Sequence, residues 1–296
     1  MKIGAVFPTT EIGSDPAVIR DWTQTAEGLG YDYILTYDHV LGAEHAGRDP
    51  VLNGPYTEKN AFHEPFVLFA YLAGITSTIE FCTGVVILPQ RQAALVAKQA
   101  AELAVLSENR FRLGVGTGWN YVEYESLGVP FAGRGRLFDD QIAVLKALWS
   151  DSIVDYSSEF HRVDRASILP LPTKPIPLWF GALSTIAVER AVREGEGLIF
   201  ATRPKYVSNL LVEAQERRAA LGSEDSPFGF EASIDFSLGE EVWSEDVATW
   251  EAKGGTHVAL RAMNTGNAMM GLETVDFGGP QGYIDALGTF MRAVRG

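Results

Sequence analysis

The sequence predicts one α/β domain over residues 1–296, a (β/α)8 TIM barrel with insertions after strand 2 and before strand 5. Eight short apolar segments alternate with about eight helical segments, which is typical of parallel strands joined by helical crossovers. Polar and glycine residues follow several strands, and the carboxyl ends of strands are where sites gather in a barrel. An open doubly wound sheet is the alternative, since counting strands does not establish closure.

The first half of the chain contains four predicted strands. They cover residues 2–8, 31–39, 79–88 and the apolar run that begins at 110. Asp15 followed by Pro16 is typical of a helix start, because aspartate caps the helix and proline fits its first turn. Further helices are predicted over 65–76 and 92–107. Gly84 is unfavourable inside the third strand, which indicates a bulge or a closely approaching ligand.

The second half continues the same alternation. Strands are predicted over 177–182, 197–201, 228–236 and 256–263. Helices are predicted over 136–149, 184–193, 204–221, 244–253 and 280–294. Ser184 and Pro204 stand where two of these helices begin, and both residue types are favoured there.

Two long segments interrupt this pattern and are the predicted insertions. Residues 40–64 mix glycine, proline, asparagine and charged residues without periodicity, and residues 151–176 are irregular with a candidate hairpin. Loops of this length in compact domains are usually functional or disordered. His45 and His63 lie in the first insertion near acidic residues. Their spacing matches no known ligand pattern, so no metal site is predicted.

Composition limits the class of partner. The net charge of −14 argues against nucleic acid and anionic membranes, which are themselves negative. The single cysteine, Cys82, has no internal disulfide partner, and this indicates a reducing compartment. The chain has no signal-peptide pattern and no apolar run of eighteen residues. A cytoplasmic protein that acts on a small molecule is therefore expected.

The segment RFRLGVGTGWN, residues 110–120, is a glycine-rich turn between a predicted strand and a helix. Such a turn leaves backbone amides free to bind a phosphate, although glycines also serve simply to make the turn. A dinucleotide fingerprint would need a glycine at Trp119, and a nucleotide-triphosphate loop would need Gly-Lys-Ser/Thr. The local pattern therefore leaves an anion site and a structural turn as two open interpretations.

Several segments together resemble the bacterial luciferase-like flavin monooxygenase family, and most closely its coenzyme F420-dependent oxidoreductases. The segments are TYDHV (36–40), TGVVILPQR (83–91), VAKQAAELAVLSENRFRLGVGTGWN (96–120), EYESLGVPF (123–131), RGRLFDDQI (134–142) and PIPLWFGALST (175–185). The resemblance covers nearly all of the chain up to about residue 200. It implies a barrel that holds a reduced deazaflavin or flavin.

The resemblance also implies which residues bind the cofactor. The phosphate would lie at the turns after strands four and five, and Asp38 is a further candidate contact. A non-proline cis peptide supports the ring in the family, and its match is Gly84–Val85. The phosphate-binding positions are Gly116, Thr117, Gly118, Trp119, Gly181, Ala182, Leu183 and Ser184.

His39 matches the histidine that faces the reactive centre of the ring in F420-dependent alcohol and sugar-phosphate dehydrogenases. A histidine titrates near neutral pH and can exchange a proton with the substrate. Asp38 is the predicted partner that orients or charges it. Sugar-phosphate dehydrogenases carry an acid at the position of Trp119, so this chain is expected to act on another substrate.

Three functions stay open at this point. The first is hydride transfer between F420 and a small organic substrate. The second is an FMN-dependent monooxygenase that uses reduced flavin and O2, because the same turns bind both cofactors. The third is a cofactor-binding protein without turnover. Dimerisation is common in the family, so a homodimer is compatible with each of them.

Overall fold

A computed structural model describes residues 1–295, in which eight parallel strand positions close into a barrel. The strands are β1 (Lys2–Val6), β2 (Tyr33–Thr36), β3 (Glu80–Thr83), β4 (Val86–Ile87), β5 (Phe111–Gly116), β6 (Val154–Ser157), β7 (Arg162–Ala166), β8 (Leu178–Gly181), β9 (Gly197–Ile199), β10 (Gly229–Asp235) and β11 (His257–Arg261). The order around the barrel is β3-β2-β1-β11-β10-β9-β8-β5. The sheet closes because β3 also pairs with β5, and the predicted (β/α)8 barrel is confirmed.

Helices connect the strands on the outside of the barrel. They are α1 (Pro16–Gly28), α2 (Pro65–Ala73), α3 (Ala93–Leu106), α4 (Tyr121–Ser126), α5 (Arg134–Ser150), α6 (Thr185–Glu194), α7 (Pro204–Ala220), α8 (Glu240–Ala252), α9 (Asn267–Met270) and α10 (Pro280–Arg295). Asp15 caps α1 as predicted, since its carboxylate accepts the Ala17 amide at 2.8 Å. Within residues 1–295, none of the helices is long and apolar enough to cross a membrane.

The third strand differs from its prediction as one continuous run over 79–88. β3 ends at Thr83, the peptide between Gly84 and Val85 is cis as the resemblance implied, and β4 follows at once. The Thr83 hydroxyl bonds to both backbone groups of Gly114 in β5, with distances of 2.9 Å to N and 2.7 Å to O. A β-carbon at residue 84 would lie 2.4 Å from the Leu35 side chain, so glycine is required where the strand is interrupted.

The two insertions lie on opposite sides of the sequence midpoint and have different structures. Residues 37–64 contain no helix or strand, whereas the second insertion contains the expected hairpin. In that hairpin β6 pairs antiparallel with β7. His161 and Tyr156 attach it to α5 through the Asp140 carboxylate, at 2.5 Å and 2.6 Å.

Charged groups are buried inside the barrel near the amino ends of its strands. The Arg112 guanidinium lies 4.2 Å from the ring centre of Tyr33 and 4.8 Å from that of Trp179. It donates to Glu80 at 2.9 Å and lies 3.9 Å from the fully buried Glu231. A cavity of about 630 Å³ opens at this end, lined in part by Arg112 and Trp179. The predicted site residues follow the carboxyl ends of the strands, at the other end of the barrel.

Candidate functional site

His39 lies just beyond the carboxyl end of β2 and bonds to a carboxylate from α4. Its Nδ1 is 2.8 Å from Glu123 Oε2. The other oxygen, Glu123 Oε1, accepts the amides of Val40 at 2.8 Å and Leu41 at 3.1 Å. Glu123 is fully buried and the His39 side chain is only 9% exposed. The contact therefore fixes the His39 ring and the first residues of the insertion at once.

The ionisation state of Glu123 follows from these contacts. Burial raises the pKa of its carboxyl, but the hydrogen bond and charge of His39 and the amides of Leu41 and Val40 outweigh burial. The net result is a pKa below the usual value of 4.5. At neutral pH the group facing His39 is therefore a carboxylate, which only accepts hydrogen bonds.

Three aromatic rings surround the rest of the His39 side chain. The centres of the Tyr56, Phe62 and Trp119 rings lie 5.1 Å, 4.9 Å and 5.6 Å from that of His39. Tyr56 and Phe62 come from the first insertion, and Trp119 follows β5. Burial raises the pKa of the Tyr56 hydroxyl, so it is neutral in the physiological range. Three neutral aromatic rings therefore pack against the His39 side chain.

Asp38 has a different partner from the one its position beside His39 suggested. Its carboxylate accepts from Arg91 Nη2 at 2.7 Å and from the Ile87 amide at 3.0 Å. Arg91 also donates to Glu64 at 3.0 Å. Asp38 is therefore held in an ion-pair network that joins the end of β2 to the segment after the cis peptide. The carboxylate that contacts His39 belongs to Glu123 instead.

Four residues predicted to bind the cofactor converge at the carboxyl end of the barrel. The Val85 side chain follows the cis bond and lies over Gly116 and Gly181. A β-carbon at Gly116 would lie 2.6 Å from Val85 Cγ2, and one at Gly181 would lie 3.1 Å from Val85 Cγ1. Gly84, Val85, Gly116 and Gly181 therefore form one surface at the ends of β3, β5 and β8.

The two predicted phosphate turns carry free backbone amides. Within residues 1–295, the amides of Gly118, Trp119, Leu183 and Ser184 donate no hydrogen bond. Gly118 has a φ of 62°, a conformation that glycine adopts without strain. Unpaired amides after strand ends suit an anionic oxygen, so these turns fit a phosphate group.

The remaining residues of the two turns have structural contacts. The Thr117 carbonyl accepts the Tyr124 hydroxyl at 2.6 Å, which attaches α4 to the turn. The Ala182 amide donates to Ile199 at 3.0 Å in the neighbouring strand. The Ser184 hydroxyl caps α6 through the Ala187 amide at 3.5 Å. These bonds hold the free amides in place.

Glu123, Tyr56 and Phe62 are site residues that the sequence analysis did not single out. Glu123 falls in the first turn of α4, where an acid is favoured by the helix dipole and needs no other explanation. Its partner is 84 positions away in the sequence, so no local spacing reveals the contact. The aromatic residues lie in an insertion without periodicity. Tyr56 and Phe62 are also far from His39 in the sequence, so no local signal marks them as its neighbours.

Two further charged residues that stand near the strand ends have protein partners. Glu64 bonds to Arg91, as described above. Arg261 donates to Asp235 at 2.8 Å and to Asn267 at 2.7 Å. Glu64 and Arg261 therefore both have hydrogen-bond partners within the protein.

Comparison with known proteins identifies relatives along most of the chain. A family model described as luciferase-like monooxygenase matches residues 1–268. An uncharacterised protein of Mycobacterium tuberculosis is 36% identical over 226 residues, which cover 75% of this chain and 78% of that protein. The F420-dependent glucose-6-phosphate dehydrogenase of Intrasporangium calvum is 24% identical over 277 residues, covering 87% of this chain and 78% of that enzyme.

Solved structures share the fold at lower identity. An F420-dependent secondary alcohol dehydrogenase in complex with an F420–acetone adduct has a TM-score of 0.75 at 16% identity, over 99% of this chain and 98% of that one. The oxygenating constituent of 3,6-diketocamphane monooxygenase from Pseudomonas putida, in complex with FMN, has a TM-score of 0.68 at 15% identity. That match covers 99% of this chain and 98% of the monooxygenase.

Proposed function

Because this chain belongs to the luciferase-like monooxygenase family, we propose that it is an oxidoreductase that transfers a hydride between coenzyme F420 and a small organic substrate. The observation that carries the proposal is the His39–Glu123 pair at the carboxyl end of the barrel. A buried carboxylate bonded to a histidine is an arrangement suited to proton transfer. Oxidation of an alcohol or reduction of a carbonyl requires a proton transfer in addition to the hydride.

The predicted cofactor residues fit this group. The free amides of Gly118, Trp119, Leu183 and Ser184 would hold the phosphate. Val85, which follows Gly84 and packs against Gly116 and Gly181, would support the cofactor ring. When bound, F420 supplies the ring carbon that accepts or releases the hydride. His39 would give a proton to the substrate oxygen or remove one from it, and Tyr56, Phe62 and Trp119 would exclude water.

Relatives support F420 as the cofactor. The aromatic rings around His39 support a substrate other than a sugar phosphate. One relative is an F420-dependent glucose-6-phosphate dehydrogenase. Such enzymes carry an acid where this chain has Trp119, and this difference argues for another substrate class. The rings around His39 suit an apolar molecule that carries a hydroxyl or carbonyl group.

A second candidate is an FMN-dependent monooxygenase that uses reduced flavin and O2. Trp119 favours it, because the resemblance includes flavin-using relatives with tryptophan at this turn. The phosphate turns would serve FMN equally well. Product formation coupled to oxygen consumption distinguishes this reaction from hydride transfer to or from a deazaflavin.

Anaerobic titration with F420 and, separately, with FMN tests the proposal. Binding is monitored through the absorbance or fluorescence of the cofactor ring. The expected result is micromolar or tighter binding of F420 alone. Gly118→Ala should weaken binding, because a β-carbon there would lie 2.7 Å from Ile87 in a backbone conformation with positive φ. Gly222→Ala is the control, since Gly222 has a φ of 65° and nothing within 4 Å of the added carbon. Binding of FMN alone would overturn the F420 assignment.

A further inference from the structure

We propose that Glu123 is a positioning residue that fixes His39 in the tautomer with the proton on Nδ1, leaving Nε2 as the atom that exchanges a proton with the substrate. This inference rests on the proposed function for its substrate step. The tautomer itself is a property of the protein alone. It can therefore be measured before any cofactor or substrate is known.

The hydrogen bonds of Glu123 require this tautomer. Both carboxylate oxygens are in use, Oε1 by the amides of Val40 and Leu41 and Oε2 by His39 Nδ1 at 2.8 Å. An ionised carboxylate has no proton to give, so the proton between Oε2 and Nδ1 belongs to the imidazole. In the opposite tautomer two lone pairs would face each other at 2.8 Å inside the protein, which is unfavourable.

Nε2 is the free end of the ring. Within residues 1–295 no side chain or backbone group bonds to His39 Nε2. The rings of Tyr56, Phe62 and Trp119 restrict the imidazole from its other sides. Glu123 is in direct contact with the imidazole, and the ring of the neutral Tyr56 lies 5.1 Å from it, centre to centre. The carboxylate of the neighbouring Asp38 is paired with Arg91.

The same helix connects His39 to the phosphate turn. α4 begins at Tyr121, two residues after Trp119, and the Tyr124 hydroxyl bonds to the Thr117 carbonyl. Glu123 projects from this helix to His39. Displacement of the turn would therefore move the carboxylate that orients the proton-transfer group. The residues that would bind the cofactor phosphate and the residue that orients His39 therefore lie in one short segment of the chain.

Nitrogen-15 NMR of the histidine rings tests the tautomer in the protein without cofactor. The chain has five histidines, and His39→Gln identifies the signals of His39 by their loss. At a pH where the imidazole is neutral, we expect a protonated Nδ1 and an unprotonated Nε2. A proton on Nε2 in the wild-type protein would overturn the proposal without need of any further variant.

Glu123→Gln supplies the second measurement. Glutamine keeps an acceptor for the Val40 and Leu41 amides, but its amide group can donate to Nδ1, so the Nε2–H tautomer becomes populated. Glu125→Gln on the same helix is exposed and should leave the spectrum of His39 unchanged. An unchanged His39 tautomer in a folded Glu123→Gln protein would contradict the positioning role.

Turnover gives a separate readout that depends on the proposed function. We expect Glu123→Gln to lower kcat by roughly 10²-fold with little change in KM, because orientation of the acid–base group matters most in the transition state. A raised KM with unchanged kcat would indicate a role in substrate binding instead. Failure of F420 to bind would remove this assay but leave the tautomer result intact.

Discussion

Trp119 lies against Gly54 so closely that a β-carbon at residue 54 would fall 2.1 Å from the indole ring. Gly54 belongs to the first insertion, and Trp119 belongs to the turn after β5. The absence of a side chain at residue 54 therefore allows the insertion to close over the tryptophan that borders His39. A further bond, from the Tyr121 hydroxyl to the Pro50 carbonyl at 2.6 Å, holds the same two segments together.

Gly54→Ala should displace Trp119 or the insertion and disturb the surroundings of His39. We expect altered tryptophan fluorescence and a turnover about tenfold lower, since small displacements near a reacting centre are costly. Gly47→Ala is the control in the same insertion for backbone strain without a side-chain clash, because Gly47 has a φ of 70° and nothing within 4 Å of its added carbon. Equal effects of the two substitutions would show that contact with Trp119 is unimportant.

His39→Ala should sharply reduce turnover and leave cofactor affinity nearly unchanged. General acid–base groups typically contribute 10²- to 10⁴-fold, so a loss of about this size is expected in kcat. The predicted phosphate contacts lie on other strand ends, which is why the dissociation constant of the cofactor should change little. His161→Ala, in the hairpin, is the control. Unchanged kcat would exclude a proton-transfer role for His39.

Asp38→Asn should destabilise the protein through loss of an ion pair. The Asp38 side chain is 1% exposed and that of Arg91 is 14% exposed. Removal of one partner from a buried pair typically costs about 3–5 kcal/mol, because the other charge stays buried. Asp38→Asn should cost less than this, since Arg91 keeps Glu64 as a partner at 3.0 Å. The free energy of unfolding from urea denaturation would measure the loss. The exposed Arg162–Asp164 pair is the comparison, where Asp164→Asn should cost less than about 1 kcal/mol.

The pairing can be separated from the individual residues by a double-mutant cycle. Arg91→Gln leaves the Asp38 carboxylate buried, and the double variant removes both charges. The loss in the double variant should be smaller than the sum of the two single losses, because neither charge is then left without its partner. Additive losses would mean that Asp38 and Arg91 do not stabilise each other.

His257 should make the protein less stable as the pH falls. Burial, followed by the charges of Arg112, Lys2 and the amino terminus, lowers its pKa from 6.5 to about 2. Between these values the unfolded chain binds more protons than the folded protein, so the free energy of unfolding decreases with falling pH. The slope has an upper limit of about 1.4 kcal/mol per pH unit. His257→Gln should remove this rising contribution from the dependence measured by denaturation between pH 5 and pH 7.5.

Glu231 acts in the opposite direction in an overlapping range. Burial raises its pKa from 4.5 to about 7, against the opposing charge of Arg112. The folded protein then holds a proton that the unfolded chain releases, so this group lowers stability as the pH rises from 4.5 to 7. In His257→Gln the Glu231 contribution remains, and stability should decline with rising pH. A profile that still rises over this range would contradict the assignment to His257.

The barrel could be predicted because its determinants are local. Alternating apolar segments, the Asp15–Pro16 start of α1 and the Ser184 cap of α6 each depend on neighbouring residues. Strand-end positions such as His39 and Gly116 then follow from the fold, since all carboxyl ends of parallel strands face the same way. The location of the candidate site was therefore accessible from the sequence.

The partners within the site could not be predicted in the same way. Asp38 is adjacent to His39 in the sequence, yet successive residues of an extended chain point in opposite directions, and Asp38 bonds to Arg91. Glu123 reaches His39 only because the closed barrel brings β2 and α4 to the same end. Contacts of this kind depend on tertiary geometry, which no spacing within a helix or strand records.

The first insertion supplies two of the three rings around His39, whereas the phosphate turns and the cis peptide belong to the barrel. Under the proposed function, the residues that would select a substrate and those that would hold the cofactor lie in separate stretches of the chain. On that proposal, we expect exchange of residues 40–64 between related enzymes to change which molecule reaches His39 while the barrel stays intact. Directed evolution aimed at new substrates should begin with this segment.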